Sequence, residues 1–363
     1  MATVEPPAGG AGGSGPSGDG AAGTLTVPLL GDSLRPGACT GVGSLPHRSI
    51  HDAANFALRA YDLPAIPTLP RRSPAEGMIA QALVGIGGVT LGQYGSIAVD
   101  VTRLDPEAPV ATDIAHDAYG GLRAFLATAA ARQLRGPVKW QFTGPVTLGV
   151  ALTRVGVPAD RAFAVAAASV RAHVSAIAAA VAAAMPDSPQ IVWFDEPLLG
   201  ELMQPGFPIA PEPAVDLLST AMAMLEPMAT VGVHSCGDAD VASLLAAGPA
   251  ILSIPLQPRL TEVAGYLARF LEDGGRVAWG VIATDGPITT TSERSWRMLT
   301  DVWCELVNRG CDPVELRRRS LVTPACGLGL HGLEVAERVV RLTCEIGRKI
   351  NDQAVASRFA LGA

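Results

Sequence analysis

The sequence predicts an α/β protein folded as a closed (β/α)8 barrel, a TIM barrel. Three observations carry that expectation. Eight short β-branched or apolar runs recur along the chain, helical spacing fills most of the intervals, and small or polar residues stand where most of the runs end. Strands alternating with helices imply parallel strands joined by right-handed crossovers. Eight such units suggest closure. A doubly wound open sheet is the competing architecture, but no Gly-rich dinucleotide loop follows any run, which counts against its commonest form.

In chain order the runs are "ACTGVGS" (38–44), "AIPTLP" (65–70), "VKWQFTGP" (138–145), "IVWFDEP" (191–197), "TVGVHSC" (230–236), "AILSIPL" (250–256), "RVAWGVIATD" (276–285) and "SLVTPAC" (320–326). Helical spacing marks "HDAANFALRAY", the Ala-rich stretch from Asp160 to Met185, "DADVASLLAAG", "RLTEVAGYLARFLEDG" and "SERSWRMLTDVWCELVNR". The long interval after the second run holds "GQYGSIAVDVT", which suggests an extra hairpin over one face. Residues 1–24 are Gly, Ala, Pro and Ser with almost no apolar bulk. They cannot bury enough surface to offset ordering entropy, so a disordered tail is expected there, and 25–363 reads as one barrel domain. The tail has neither the basic nor the apolar region of a signal peptide.

The chain has 363 residues, 48% of them hydrophobic, which suffices for a large single core. Its net charge of −7 provides no basic field to hold nucleic acid or an anionic membrane. Six cysteines are too sparse and irregular for a disulfide framework, so the expectation is a reduced, cytoplasmic protein. The apolar stretch 164–185 is mostly Ala with Arg171 and His173 inside, and it reads as a packed helix rather than a membrane span.

In a barrel, all strand ends open onto one mouth, where barrel enzymes place their chemistry. The residues there are Ser44 and His47, Arg71 and Arg72, Gln141 and Thr143, Asp195 and Glu196, His234 and Cys236, Asp285, and Cys326. His234 and Cys236 stand two apart on extended chain and so share a face. Taken alone, "HSC" reads better as a buried Cys and a satisfied core His. Cys326 at a matching strand end shifts the balance to metal. Two thiolates and an imidazole suit zinc, and three protein ligands with an open position describe a catalytic zinc. Cys39, Cys304, Cys311 and Cys344 are explained by core packing.

Asp195 in "FDEP" suits a substrate ammonium or a proton, or else a helix cap, and the two roles can be split with Glu196. "GVGSLPH" offers the backbone N–H groups of Gly43 and Ser44 and the Ser44 hydroxyl to a carboxylate, or is a plain glycine turn. Gln141 and Thr143 face inward, as ligand contacts or as barrel-filling hydrogen bonders.

"TGVGSLPH", "KWQFTGPVTLG", "WFDEPLL", "VHSCGD" and "VTPACGLG", in this order, resemble the catalytic barrel of the cobalamin-independent methionine synthase family. The wider superfamily includes uroporphyrinogen decarboxylase and the methylcobalamin:coenzyme M methyltransferases. The likeness spans about residues 38–350. The resemblance implies that His234, Cys236 and Cys326 are zinc ligands, that Val42, Gly43 and Ser44 hold an amino acid's carboxylate, and that Asp195 binds its amino group. It implies methyl transfer to the thiol of homocysteine, forming methionine. The donor would be methyltetrahydrofolate or a methylcorrinoid, the latter on a corrinoid protein partner, which a single barrel fits slightly better.

The chain departs from the family pattern in three ways. The usual glutamate ligand falls on Pro255, a further glutamate falls near Arg71 and Arg72, and the second, folate-holding barrel of the longer enzymes has no counterpart. Two other functions compete. A decarboxylase of a porphyrin-like substrate would need no metal and would present a basic cluster, for which Arg35, Arg48, Arg71 and Arg72 are the candidates. A non-catalytic relative would bind zinc or a thiol without turnover.

Overall fold

The computed structural model describes residues 34–92 and 96–360. The tail expected over 1–24 lies outside the described residues. Nine strands are described: β1 (Ala38–Cys39), β2 (Val89–Leu91), β3 (Ile97–Val99), β4 (Val138–Thr143), β5 (Gln190–Asp195), β6 (Thr230–His234), β7 (Ile251–Pro255), β8 (Arg276–Ile282) and β9 (Ser320–Pro324). Seven form one curled parallel sheet in the order β1-β9-β8-β7-β6-β5-β4. β2 and β3 pair antiparallel as the expected hairpin.

The sheet does not close as eight continuous ladders, which corrects the expectation of a regular (β/α)8 barrel. The second run, 65–70, contributes only isolated parallel bridges, Ala65 to Lys139 on one side and Ser44 to Thr68 on the other. The cause is local. Pro64, Pro67 and Pro70 remove a backbone donor at every third residue, so no continuous ladder can form. What remains is a seam: Ile66 N donates to Lys139 O at 2.8 Å, and Leu45 N donates to Thr68 O at 2.9 Å. The first run is likewise shorter than expected, with only Ala38 and Cys39 in the ladder.

Strand alternation sorts the side chains into two layers. Trp140, Phe142, Val192, Phe194, Val233, Ile254 and Trp279 face outward into the core beneath the helices. The inner face is apolar at one level, where Ala38, Leu63, Ile191, Trp193, Ile251, Ala278 and Leu321 pack on one another with Leu34. Among the helices, Ile50–Ala60 is capped by Ser49 and Val241–Ala246 by Asp240. The helix Ala159–Ala184 is long and apolar enough to cross a membrane, and half of its most apolar window is buried in the fold. Phe163, Val170, Val174, Ile177 and Val181 are among its buried residues.

A disulfide between Cys39 and Cys344 corrects the expectation that all six cysteines are reduced. The pair is separated by 305 residues, so spacing could not suggest it. It forms because the C-terminal helix, Leu333–Ala360, returns to pack on β1. Cross-linking so long a loop restricts the unfolded chain, and such bonds typically contribute about 2–4 kcal/mol. Chemical denaturation with and without reductant should show a loss of that size. A Cys39→Ala/Cys344→Ala variant should show the loss without reductant and no further response to it.

Candidate metal and substrate site

The C-terminal ends of β4, β5, β6 and β9 bring the polar residues together. β6 delivers His234 to the inner face, and the chain continues through Ser235 to Cys236. β9 leads to Cys326 from across the sheet. The ligand atoms of His234, Cys236 and Cys326 lie within 4.8 Å of one another. No other such cluster of His, Cys, Asp and Glu is found among the described residues.

His234 is oriented as a ligand would be. Its Nδ1 lies 2.9 Å from Ser253 Oγ on β7. Its Nε2 is buried and has no protein partner. A hydrogen bond at Nδ1 orients the ring and leaves Nε2 facing the cluster, where it can serve a metal. The ring stacks on Trp193 with centroids 6.0 Å apart and planes at 15°. The two thiols share a hydrogen bond: the one from Cys236 to Cys326 holds Cys326 below the usual thiol range, with His234 adding to the effect. That same bond, together with burial, pushes Cys236 up. Two sulfur donors and an imidazole within reach of one point form a donor set that fits zinc.

The acids after β5 divide as their surroundings dictate. Glu196 is fully buried and caps a helix, but the helix is Pro145–Arg154 rather than the one that follows β5. Its carboxylate accepts from Val146 N at 2.9 Å and Thr147 N at 2.6 Å. Gly144 is required beside it, because a Cβ there would come within 2.1 Å of Glu196 Oε1. Burial pushes Glu196 up to about 7, against the pull of these donors. Glu196→Gln turns one acceptor into a donor facing an N–H. We expect a loss of about 1–3 kcal/mol in chemical denaturation, with metal binding retained. Asp195 is left differently. Its Oδ1 is buried without a partner, and burial pushes it up to about 6, while His234 and Lys139 pull the other way. Its neighbour across the ladder is His234.

The Val42–Ser44 turn lies beside Cys326. Gly329 N donates to Ser44 Oγ at 3.1 Å, and Leu328 N donates to Ser44 O at 2.9 Å. Gly43 has φ +150°, and a Cβ there would meet the Gln141 amide carbon at 2.1 Å. Gln141 is itself engaged: Oε1 accepts from Lys139 at 2.9 Å, and Nε2 donates to Ile66 O at 3.2 Å. Thr143 Oγ1 donates to Met78 O at 2.8 Å. Both side chains are thus hydrogen-bonded within the protein. Pro255, two residues after Ser253 on the same face of β7, is partly exposed.

Three of the four candidate arginines are bound to protein acceptors. Arg72 pairs with the buried Glu76 at 2.7 Å and with Asp117 at 2.8 Å. Glu76 in turn accepts from Leu69 N and Gly121 N. Arg71 donates to Leu330 O at 2.6 Å, and Arg35 pairs with Asp62 at 2.5 Å. Two residues escaped the sequence reading, Lys139 and Ser253. Both stand at inward positions of their strands, in "KWQFT" and "ILSIP", and alternation alone would have placed them there.

Fold and site together define an α/β protein with a curled parallel sheet and a His–Cys–Cys cluster at the C-terminal ends of its strands. No protein-family model and no curated protein matches this chain by sequence. Among solved structures, it is similar to a B12-independent methionine synthase from Shewanella sp. W3-18-1, determined in complex with selenomethionine. The TM-score is 0.55 at 13% identity, over 89% of this chain and 100% of that one. The likeness is one of fold.

Proposed function

We propose that this protein is a zinc-dependent S-methyltransferase that methylates the thiol of homocysteine to methionine. The observation that carries this reading is the cluster of His234, Cys236 and Cys326, with Nε2 of His234 unpartnered. His234, Cys236 and Cys326 would hold the metal. Bound zinc would supply a Lewis acid that keeps a substrate thiol deprotonated at neutral pH. Asp195, whose buried Oδ1 has no partner, would receive the amino group, and the Val42–Ser44 turn the carboxylate, which fixes the approach of the sulfur. In the transfer, a sulfur electron pair forms the new S–CH3 bond as the donor's N–CH3 or Co–CH3 bond breaks. The thiol proton leaves to solvent, and the pair of the broken bond stays with the donor, on the folate nitrogen, which takes up a proton from solvent, or on cobalt, which departs as Co(I). The donor would be methyltetrahydrofolate or a methylcorrinoid carried by a protein partner.

The decarboxylase reading is disfavoured because three of its four candidate cations, Arg35, Arg71 and Arg72, are bound to protein acceptors, which leaves Arg48 alone and no basic cluster. To test the proposal, zinc-replete protein is incubated with homocysteine and either methyltetrahydrofolate or methylcobalamin, and methionine is measured. We expect turnover with one donor, lost on chelation. Zinc and homocysteine binding without turnover on either donor would mean a binding protein instead.

A further inference from the structure

Lys139 is fully buried on the inner face of β4, and the transfer described above gives it no task. Its Nζ donates to the carbonyl of Val42 and to Gln141 Oε1 at 2.9 Å, and it lies 4.3 Å from the centroid of the Trp193 ring. No carboxylate lies within ion-pair distance of it among the described residues. A buried ammonium is costly to desolvate, and an apolar side chain would fill the space without that cost. Burial accordingly pushes Lys139 down to about 7, with Asp195 holding it up. Its two oxygen partners can only accept, so both bonds call on N–H donors of the lysine.

These bonds act on the turn above. The peptide bonds of the described residues are all trans, so the Val42 carbonyl and the Gly43 N–H point in opposite directions. A carbonyl drawn onto Nζ therefore aims the Gly43 N–H away from the lysine. The N–H end of that peptide dipole then faces an anion at the far side. The second bond fixes Gln141, whose amide packs against Gly43 where a Cβ would not fit. One side chain thus holds both the turn and Gln141 beneath it.

We propose that Lys139 is a positioning residue that makes the Val42–Ser44 turn an anion acceptor and so selects thiols that carry a carboxylate. This rests on the reading that an amino-acid thiol docks there. The test compares homocysteine with 3-aminopropane-1-thiol, the same molecule without its carboxylate, by calorimetry on zinc-replete protein. Wild-type protein should prefer homocysteine by about 10–100-fold, the size of a charge-assisted hydrogen bond. Lys139→Met should lose that preference while retaining zinc and its affinity for the aminothiol, a pattern that general damage to the fold would not give. Lys139→Gln, nearer in polarity, is held to the same criterion if the Met variant does not fold.

Wild-type protein that binds the two thiols equally overturns the inference without any variant. A preference left intact in Lys139→Gln or Lys139→Met removes Lys139 from the account and leaves the methyl-transfer reading standing. Wild-type protein that binds neither thiol overturns both.

Discussion

Cys326→Ser should abolish stoichiometric zinc. Cys326 comes from a strand remote in sequence from the His234–Cys236 pair, yet its sulfur lies within 4.8 Å of the other two ligand atoms. Removing it leaves two protein donors. Loss of a supporting residue behind a metal ligand typically costs about 10–100-fold in metal affinity, and loss of the ligand itself should exceed that. Ser253→Ala provides the internal comparison. It removes only the partner of His234 Nδ1, so affinity should fall by about 10–100-fold while the stoichiometry at saturating zinc stays near one. Equilibrium dialysis against a chelator series separates the two outcomes. A Cys326→Ser variant that holds zinc as the wild type does would remove this residue from the site.

Asp195→Asn should have two effects of opposite value. Affinity for homocysteine should fall by about 10–100-fold, because a charge-assisted hydrogen bond to the substrate ammonium is lost. Zinc should remain, since the carboxylate belongs to a different strand from the proposed ligands. The metal-free protein should meanwhile become more stable at pH 7.5, by about 1–2 kcal/mol. Asp195 is raised to about 6 from an ordinary 3.8, so the folded state binds its proton more tightly than the unfolded chain does. The stability it contributes is fully present below the unfolded value and is lost as pH rises through about 6. Asn carries no charge to bury, so the gain should shrink when the same denaturation is run at pH 4.5. Loss of zinc in Asp195→Asn would make the aspartate a ligand and overturn its assigned role.

The parts of the fold that could be read in the sequence are those set by local pattern. β4 through β9 lie where β-branched runs predicted strands, because each run is long enough and free enough of interior proline to complete a ladder. The second run failed for the converse reason, with three prolines in seven residues from Pro64 to Pro70. The convergence of His234, Cys236 and Cys326 was legible because parallel strands bring their ends to one side, whatever their separation in the chain. The division of labour between Asp195 and Glu196 was legible only as an alternative. It depended on where the helix Pro145–Arg154 begins relative to β5, which is a tertiary fact. The Cys39–Cys344 disulfide was hidden for the same reason, since the path of the last helix decides it. Lys139 and Ser253 were visible as inward positions. Nothing in their local sequence, however, connects one to the Val42 carbonyl or the other to the ring of His234.

Zinc-edge X-ray absorption tests the central claim most directly, because bonds to sulfur near ~2.3 Å are distinct from those to nitrogen or oxygen near ~2.0–2.2 Å. The zinc-replete protein should show two sulfurs from Cys236 and Cys326, one nitrogen from His234 and a light oxygen ligand, since Pro255 offers no side-chain donor. Saturating homocysteine should raise the sulfur count from two to three, and Cys326→Ser loaded with excess zinc should not reproduce the two-sulfur spectrum. A sulfur-free shell in the wild type would contradict the site. A count that stays at two with homocysteine present would contradict the methyl-transfer chemistry built on it.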